Sequence, residues 1–144
     1  ENDASTEKKV SAGLREMSME LPVPGILESP FGVFESKIFS YKKQKIEEKK
    51  YTKWFDYDKI KNSPCVRTRR QGDYLTVNSE GGRKKLNRIF IDEKIPAEMR
   101  DRLPVVAVGS EILWIPGGRM NEKYKITSTT GRVLELHYQG GALA

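Results

Sequence analysis

The chain has 144 residues, which is enough for one domain with a hydrophobic core and an appended arm. Its single cysteine and single histidine exclude an internal disulfide and a zinc site built from these residue types, and no apolar run is long enough to predict a membrane span or signal peptide. A net charge of +6 favours a polyanionic partner, because a basic field concentrates phosphates near the surface. We expect a protein of the reducing cytoplasm, with no membrane partner.

The first residues predict an arm rather than a folded element. Residues 1–13 lack an apolar period and are interpreted as a linker or disordered arm. We place a single domain at residues 14–138 and a tail at residues 139–144. The chain begins at Glu1 without a methionine, which favours a segment of a longer protein.

The N-terminal third of the domain is predicted to be β-rich. Apolar and polar residues alternate over residues 14–23, and Pro22 and Pro24 place this strand at a sheet edge. A second strand is predicted over residues 31–41. The almost wholly charged residues 42–53 are interpreted as a solvated hairpin loop, with a functional basic arm as the alternative.

An aromatic strand is predicted over residues 51–55, followed by a turn with one helical twist over residues 56–60. Trp54 and Phe55 are interpreted as core residues rather than as stacking platforms for nucleobases. An exposed apolar patch around them, or around Trp114, would instead favour a protein-binding surface.

The centre of the chain combines tight turns with basic side chains. A strand predicted over residues 66–70 places Arg67 and Arg69 on one face. Another strand is predicted over residues 74–77, and the turn at Gly81 and Gly82 is expected to lead directly into a helix. The first turn of that helix would then place backbone amides beside Arg83 and Lys84, an arrangement that binds phosphate.

Apolar spacing fixes the inner face of this helix and the elements that follow it. Leu86, Ile89 and Phe90 form a stripe at helical spacing. A second short helix is predicted over residues 96–103, then apolar strands over residues 104–108 and 111–115 joined by a Gly-Ser turn. A final hairpin is predicted from residues 124–127 and 133–138. The pattern as a whole indicates an α+β chain, rich in β structure, with two short helices.

The candidate site is a group of cations that could contact nucleic-acid phosphates. Its members fall within a short stretch and are opposed there only by Asp73 and Glu80: they are Arg67, Arg69, Arg70, Arg83, Lys84, Lys85 and Arg88. The alternative is internal pairing with Asp73, Asp92, Glu93 or Asp101. Replacing Arg67 and Arg69 together is predicted to weaken RNA binding and to leave the thermal midpoint almost unchanged.

No catalytic or metal site is predicted. His137 lies in a terminal strand as a structural or exposed residue, and Cys65 has no histidine near it in sequence. A free-standing enzyme is therefore not favoured.

The ordered motifs resemble the C-terminal region of the tRNA(Ile)-lysidine synthase family. The resemblance rests on Val66-Arg-Thr-Arg-Arg-x-Gly-Asp73, Lys84-Lys-Leu86, Phe90-Ile-Asp-Glu-Lys-Ile-Pro96, Arg100-Asp-Arg-x-Pro104, Trp114-Ile-x-Gly-x-Arg119 and Tyr124-Lys-Ile-Thr127. It covers residues 51–136 in order and spacing. Where many relatives have Arg-Phe and a Pro-Leu-Gly turn after Gly72-Asp73, this chain has Tyr74-Leu75 and a different turn.

The resemblance implies a domain that recognises tRNA(Ile) for a larger ligase. The family uses ATP to join lysine to an anticodon cytidine, and its Ser-Gly-Gly-x-Asp-Ser loop is absent here. ATP and Mg would belong to an N-terminal catalytic domain, leaving no cofactor in this segment. The resemblance adds Arg119 and Lys125 to the RNA-binding residues. It implies a β-rich layered sandwich shared with a domain of phenylalanyl-tRNA synthetase.

The expected partners are tRNA(Ile) and the catalytic domain of the same enzyme, and not DNA. A homodimer is left open. The alternative function is an interdomain or protein-binding module without RNA contact.

Overall fold

A computed structural model describes residues 17–46 and 49–140. These residues form a six-stranded sheet in the order β1-β5-β8-β9-β6-β7 and a four-stranded sheet in the order β2-β3-β10-β4. The strands are β1 Ser18–Glu20, β2 Gly25–Ser29, β3 Gly32–Ser40, β4 Thr52–Asp56, β5 Cys65–Arg67, β6 Tyr74–Thr76, β7 Arg83–Lys85, β8 Val105–Val108, β9 Glu111–Trp114 and β10 Arg132–Gly140. The helices are α1 Leu86–Asp92 and α2 Ala97–Arg100. Single 3-10 turns lie at Tyr57–Lys59 and Glu122–Tyr124.

The two long strands organise the four-stranded sheet. β10 pairs antiparallel with both β3 and β4, so that Leu134 lies between Ile38 and Phe55. The inward residues Leu134 and Leu136 have no exposed surface. This two-residue alternation gives the sheet one apolar face and one wet face.

The six-stranded sheet packs on both of its faces. One face contributes Val106 and Trp114 to a core shared with Phe34, Phe55 and Leu134 of the other sheet. The opposite face packs against α1, whose Leu86, Ile89 and Phe90 contact Leu75 and Ile112. The layers are therefore sheet, sheet and helix, which confirms the β-rich layered fold with two short helices.

Several predicted elements are confirmed and others need correction. Residues 83–85, expected as the first turn of a helix, instead form β7, because their backbone pairs antiparallel with β6. Residues 124–127 form no strand; Tyr124 ends a 3-10 turn, and β10 pairs with β3 and β4 instead. β5 ends at Arg67, so Arg67 and Arg69 do not share a strand face.

The predicted arm at residues 1–13 lies outside the described residues, and the domain boundaries stay predictions. β10 continues to Gly140, two residues into the predicted tail. Within the described ranges, no helix is long and apolar enough to cross a bilayer.

Candidate nucleic-acid interface

Arg67 lies in the protein interior. Its side chain is 2% exposed and its terminal nitrogens bond both carboxylate oxygens of Asp73. Burial acts to lower the pKa of Arg67, but the hydrogen bond and the charge of Asp73 outweigh it, so the pKa is raised and the guanidinium stays charged. Its donors face the protein rather than solvent, and we therefore correct its expected place on the RNA-binding surface.

Arg69 and Arg70 follow β5 and reach the surface. Arg69 donates from Nε to Asp101 at 2.9 Å and from Nη1 to Asn87 of α1 at 3.0 Å. Arg70 is exposed and begins a turn. The turn is closed by a hydrogen bond of 3.2 Å from Asp73 N to the carbonyl oxygen of Arg70. Leu86 N donates to Asp73 O at 2.9 Å. This bond sets the Arg70 turn against the junction of β7 and α1.

β7 is an edge strand made of three consecutive basic residues. Because side chains alternate along a strand, Lys84 projects to one face and Arg83 and Lys85 to the other. Lys84 is the cross-strand partner of Leu75, on the face covered by α1, and it forms an ion pair with Asp92 of that helix. Arg83 lies on the opposite face, with its guanidinium carbon 4.6 Å from the centre of the Tyr74 ring.

Asp92 is shared by two cations. Lys84 bonds one of its oxygens, and Nε of Arg88 lies 3.2 Å from the other. The pKa of Asp92 is lowered, mainly by the hydrogen bond from Lys84 and also by the charges of Lys84 and Arg88. Partial desolvation of the carboxylate acts in the opposite direction but is outweighed. One carboxylate for two cations leaves a net positive charge here. This is the structural pairing that the sequence offered as the alternative for Asp92.

We use the name basic edge for six cations on β7 and the segments beside it: Arg69, Arg70, Arg83, Lys84, Lys85 and Arg88. Among the residues that the structure describes, Arg70, Arg83 and Lys85 form no ion pair with a carboxylate. The remaining three are partly neutralised by Asp92 and Asp101. The basic edge is thus cationic, but only part of it consists of cations without a carboxylate partner, whereas the sequence suggested that all of them would be unpaired.

The two cations added by family resemblance lie apart from that edge. Arg119 donates from Nη2 to the carbonyl oxygen of Val77 at 3.3 Å, where the turn between β6 and β7 begins. Lys125 is exposed and pairs with Glu122 at 2.8 Å. Neither contacts a member of the basic edge among the bonds of the described residues.

Sequence reasoning missed a groove on the Arg83 face of the sheet. Its volume is about 490 Å³, and the residues that line it include Lys59, Thr76, Asn78, Ser79, Arg83 and Lys123. Lys59 Nζ donates to the carbonyl oxygen of Lys123 at 3.3 Å, a contact between residues 64 positions apart. No local pattern marks two such lysines in a chain with 26 basic residues, so only the fold brings them together.

The aromatic residues do not form an exposed apolar patch. Phe55 and Trp114 have no exposed surface, and half-buried Trp54 donates from Nε1 to Glu135 at 2.9 Å. Their predicted core role is confirmed for Phe55 and Trp114. The feature that would have favoured a protein-binding module is therefore missing at these positions.

The described part of the chain also contains residue types that can bind metals or act in catalysis. Among residues 17–46 and 49–140, no cluster of His, Cys, Asp and Glu has an arrangement that could hold a metal ion. His137 Nδ1 lies 2.7 Å from Thr52 Oγ1 on the wet face of the four-stranded sheet. Cys65 is a partly exposed free thiol in β5.

The fold and its cationic strand edge define a β-rich domain of two stacked sheets with a helical layer. A solved structure titled "Crystal structure of TILS C-terminal domain" matches it with a TM-score of 0.72 and 33% identity, covering 86% of this chain and 96% of that chain. The family model described as the TilS substrate C-terminal domain matches residues 65–136. The chain belongs to this family.

Curated relatives are called tRNA(Ile)-lysidine synthase. The protein from Caldanaerobacter subterraneus is 50% identical over 88 residues, covering 61% of this chain and 19% of the relative. The Clostridium tetani protein is 41% identical over 90 residues, covering 62% and 19%. The Clostridium perfringens protein is 38% identical over 110 residues, covering 76% and 23%. The chain thus spans about a fifth of the length of these relatives.

Proposed function

We propose that this chain is the tRNA-binding C-terminal domain of an ATP-dependent tRNA(Ile)-lysidine synthase. It holds tRNA(Ile) while an N-terminal catalytic domain, with ATP and Mg, converts an anticodon cytidine to lysidine in the cytoplasm. The family membership and the printed name of the relatives support the substrate. The observation that carries RNA contact by this segment is the basic edge.

The geometry of the edge suits folded RNA. Phosphate contacts orient a nucleic acid without reading its sequence, and RNA helices are recognised largely through shape, phosphates and 2′-hydroxyls. β7 has no neighbour on its outer side among the described strands; Arg83 and Lys85 are exposed there, and the side chain of Lys84 is 33% exposed. Arg70 and Lys85 are both exposed, and the Arg70 turn is bonded through Asp73 O to the amide of Leu86, the residue after Lys85.

The structural environment ranks the candidate residues. Arg70, Arg83 and Lys85 carry most of the predicted affinity, since no described carboxylate competes for them. Arg69, Lys84 and Arg88 contribute less because their charges are shared with Asp101 and Asp92. Arg119 and Lys125 are peripheral contacts, and Arg67 is a structural residue.

A salt titration with labelled tRNA(Ile) tests the proposal. For four to six phosphate contacts the logarithm of the binding constant falls against the logarithm of salt concentration with a slope of about −3 to −5, at about −0.7 to −0.9 per contact. Arg70→Ala with Lys85→Ala should weaken binding and reduce the slope by about 2, because two phosphate contacts are removed. The thermal midpoint should hardly change, since both side chains are exposed.

The control removes the same charge elsewhere. Lys37→Ala with Lys42→Ala alters two exposed lysines, one on β3 and one just after it, in the sheet that does not contain β7. Binding without salt dependence, or an equal loss in the control pair, would contradict recognition by the basic edge. A DNA hairpin of matching sequence should bind more weakly than the RNA, because it lacks 2′-hydroxyls.

A further inference from the structure

The groove beside Arg83 lies between parts of the chain that are distant in sequence. The β6–β7 hairpin forms one wall, and the two 3-10 turns, Tyr57–Lys59 and Glu122–Tyr124, form another. Its volume of about 490 Å³ lies in the range of sites that enclose small ligands. It is therefore large enough for one phosphate group with its ribose.

Three cations converge on this space. The side chains of Lys59 and Lys123 are 42% and 53% exposed, and the bond from Lys59 Nζ to Lys123 O holds the two turns together. The guanidinium of Arg83 forms a cation–π contact with Tyr74, its central carbon lying 4.6 Å from the ring centre. This contact uses no N–H group, so the guanidinium can still donate to phosphate oxygens.

Each groove lysine forms one long ion pair with a carboxylate that is less exposed than the lysine itself. Asp56 lies 3.9 Å from Lys59 Nζ and its side chain is 6% exposed. Glu111 lies 3.7 Å from Lys123 Nζ and its side chain is 12% exposed. Glu122 lines the groove but is paired with Lys125 at 2.8 Å. The two lysines therefore share their charge with these carboxylates, while 42% and 53% of their side-chain surfaces stay open to a ligand.

The neutral groups of the groove include further donors. Asn78 Oδ1 accepts bonds from the backbone amides of Glu80 and Gly82, at 3.1 and 2.9 Å. With its oxygen occupied, the side-chain amide of Asn78 has N–H groups left to donate to a ligand. The hydroxyl of Ser79 lies beside it in the lining. Donors together with cations select an oxyanion over a cationic or apolar ligand.

We infer that this groove is a distinct subsite for one phosphate group of the RNA, gripped by Lys59, Arg83 and Lys123, with Asn78 and Ser79 bonding to the phosphate or its ribose. The inference rests on the proposed function, since the RNA arrives through the basic edge. Arg83 belongs to both surfaces, because it stands on β7 and lines the groove. The phosphate is either a 5′-terminal phosphate or an internal phosphodiester, which share this chemistry.

The test removes the two lysines that belong to the groove alone. Lys59→Ala with Lys123→Ala should weaken binding of tRNA(Ile) by about tenfold, the size expected for losing a charge-assisted bond, and should reduce the salt slope by about 1. Lys59→Arg with Lys123→Arg keeps the charges and should restore most of the affinity. Lys37→Ala with Lys42→Ala is the matched control and should leave the affinity within about twofold. Thermal midpoints establish that every variant is folded.

Two arms distinguish the source of the phosphate. Wild-type chain and the alanine pair are titrated with tRNA(Ile) carrying a 5′-phosphate and with the same tRNA after dephosphorylation. If dephosphorylation lowers the affinity of wild type but not of the alanine pair, the groove binds the 5′-terminal phosphate. If the alanine pair loses the same affinity with both forms of the tRNA, the groove binds an internal phosphodiester.

The failures of the two proposals are separable. If Arg70→Ala with Lys85→Ala weakens binding while the groove pair binds like wild type, or no worse than the control pair, the subsite is refuted and the proposed function stands. If wild type shows no salt-dependent binding of tRNA(Ile), both are refuted.

Discussion

Asp73 accepts hydrogen bonds from both terminal nitrogens of Arg67, at 2.9 and 2.8 Å, and both side chains are 2% exposed. The same guanidinium donates to the carbonyl oxygens of Thr68 and Gly109, at 2.9 and 2.8 Å. Asp73 Oδ2 also accepts from Arg70 N at 2.7 Å. One ion pair thus joins the end of β5, the Arg70 turn and the turn between β8 and β9. It positions the exposed Arg70 without contacting a ligand itself.

Replacing Asp73 with alanine should destabilise the fold strongly. Arg67 would keep its charge in the interior without a counter-ion, and breaking such a pair costs about 3–5 kcal/mol. Urea unfolding at constant pH measures the change in the free energy of unfolding. Because Arg67 is buried in this pair, replacing Arg67 and Arg69 together should also lower the thermal midpoint, contrary to the expectation from sequence that it would hardly change.

An exposed ion pair provides the comparison for Asp73. Arg132 and Asp58 are 2.8 Å apart but have side chains 58% and 44% exposed. Arg132→Ala should therefore cost less than about 1 kcal/mol. If Asp73→Ala and Arg132→Ala lowered the free energy of unfolding by similar amounts, burial would not be the reason that Asp73 stabilises the fold.

The strands at residues 104–115 illustrate what local sequence could predict. Both are apolar except for Glu111 at the start of the second, and the Gly109-Ser110 turn between them uses a positive φ of 60° at Gly109, which glycine adopts without strain. Burial, length and turn chemistry all favour the same hairpin, and β8 and β9 form it. The apolar stripe of α1 was predictable for the same reason, because its spacing alone places Leu86, Ile89 and Phe90 on one side.

β7 shows why the start of that helix could not be placed. Arg83, Lys84 and Lys85 have no apolar period, so their strand depends on backbone pairing with β6 rather than on a local preference. Leu86 N then bonds Asp73 O, which is 13 positions earlier in the sequence, and ends the strand. The charge of the region was visible in the sequence, but its division between two faces of a sheet is a product of tertiary pairing.

The pairing of each cation was predictable only in part. The sequence offered Asp92 and Asp101 alike as internal partners without assigning a cation to each; Asp92 pairs with Arg88, four residues before it on the same helix. Arg69 pairs with Asp101, 32 positions away, because the fold brings the segment after β5 to the end of α2. The groove lysines illustrate the same limit, since they meet through a backbone carbonyl and not through a motif.

The buried phenol of Tyr124 should make the fold sensitive to alkali. Burial first, and then the hydrogen bond to Glu111 at 2.6 Å and the charge of that carboxylate, raise the pKa of Tyr124 above its ordinary value. In the unfolded chain a tyrosine ionises near pH 10, whereas folded Tyr124 stays neutral to higher pH. The stabilising effect is therefore complete below about pH 10 and is lost as pH rises towards the folded pKa.

Urea unfolding at about pH 9 and about pH 11 checks this effect. Above pH 10 the contribution of Tyr124 to the free energy of unfolding should fall by up to about 1.4 kcal/mol per pH unit. Tyr124→Phe, which has no proton to lose, should show a smaller decrease between the two conditions, although it begins less stable because Glu111 loses a donor. An equal decrease, or a phenolate absorbance rise for folded Tyr124 near pH 10, would contradict the assignment.

Removing the shared carboxylate at Asp92 should strengthen RNA binding. Asp92→Asn frees Lys84 and Arg88 from their common partner and adds one positive charge at the basic edge, so affinity for tRNA(Ile) should rise several-fold and the salt slope should steepen by up to about 1. The free energy of unfolding should fall by less than about 1 kcal/mol, because all three side chains are at least 33% exposed. Asp58→Asn frees Arg132 on β10 and changes the net charge equally, but outside the edge. Equal gains from both variants would mean that net charge, rather than the place of these cations on β7 and α1, sets the affinity.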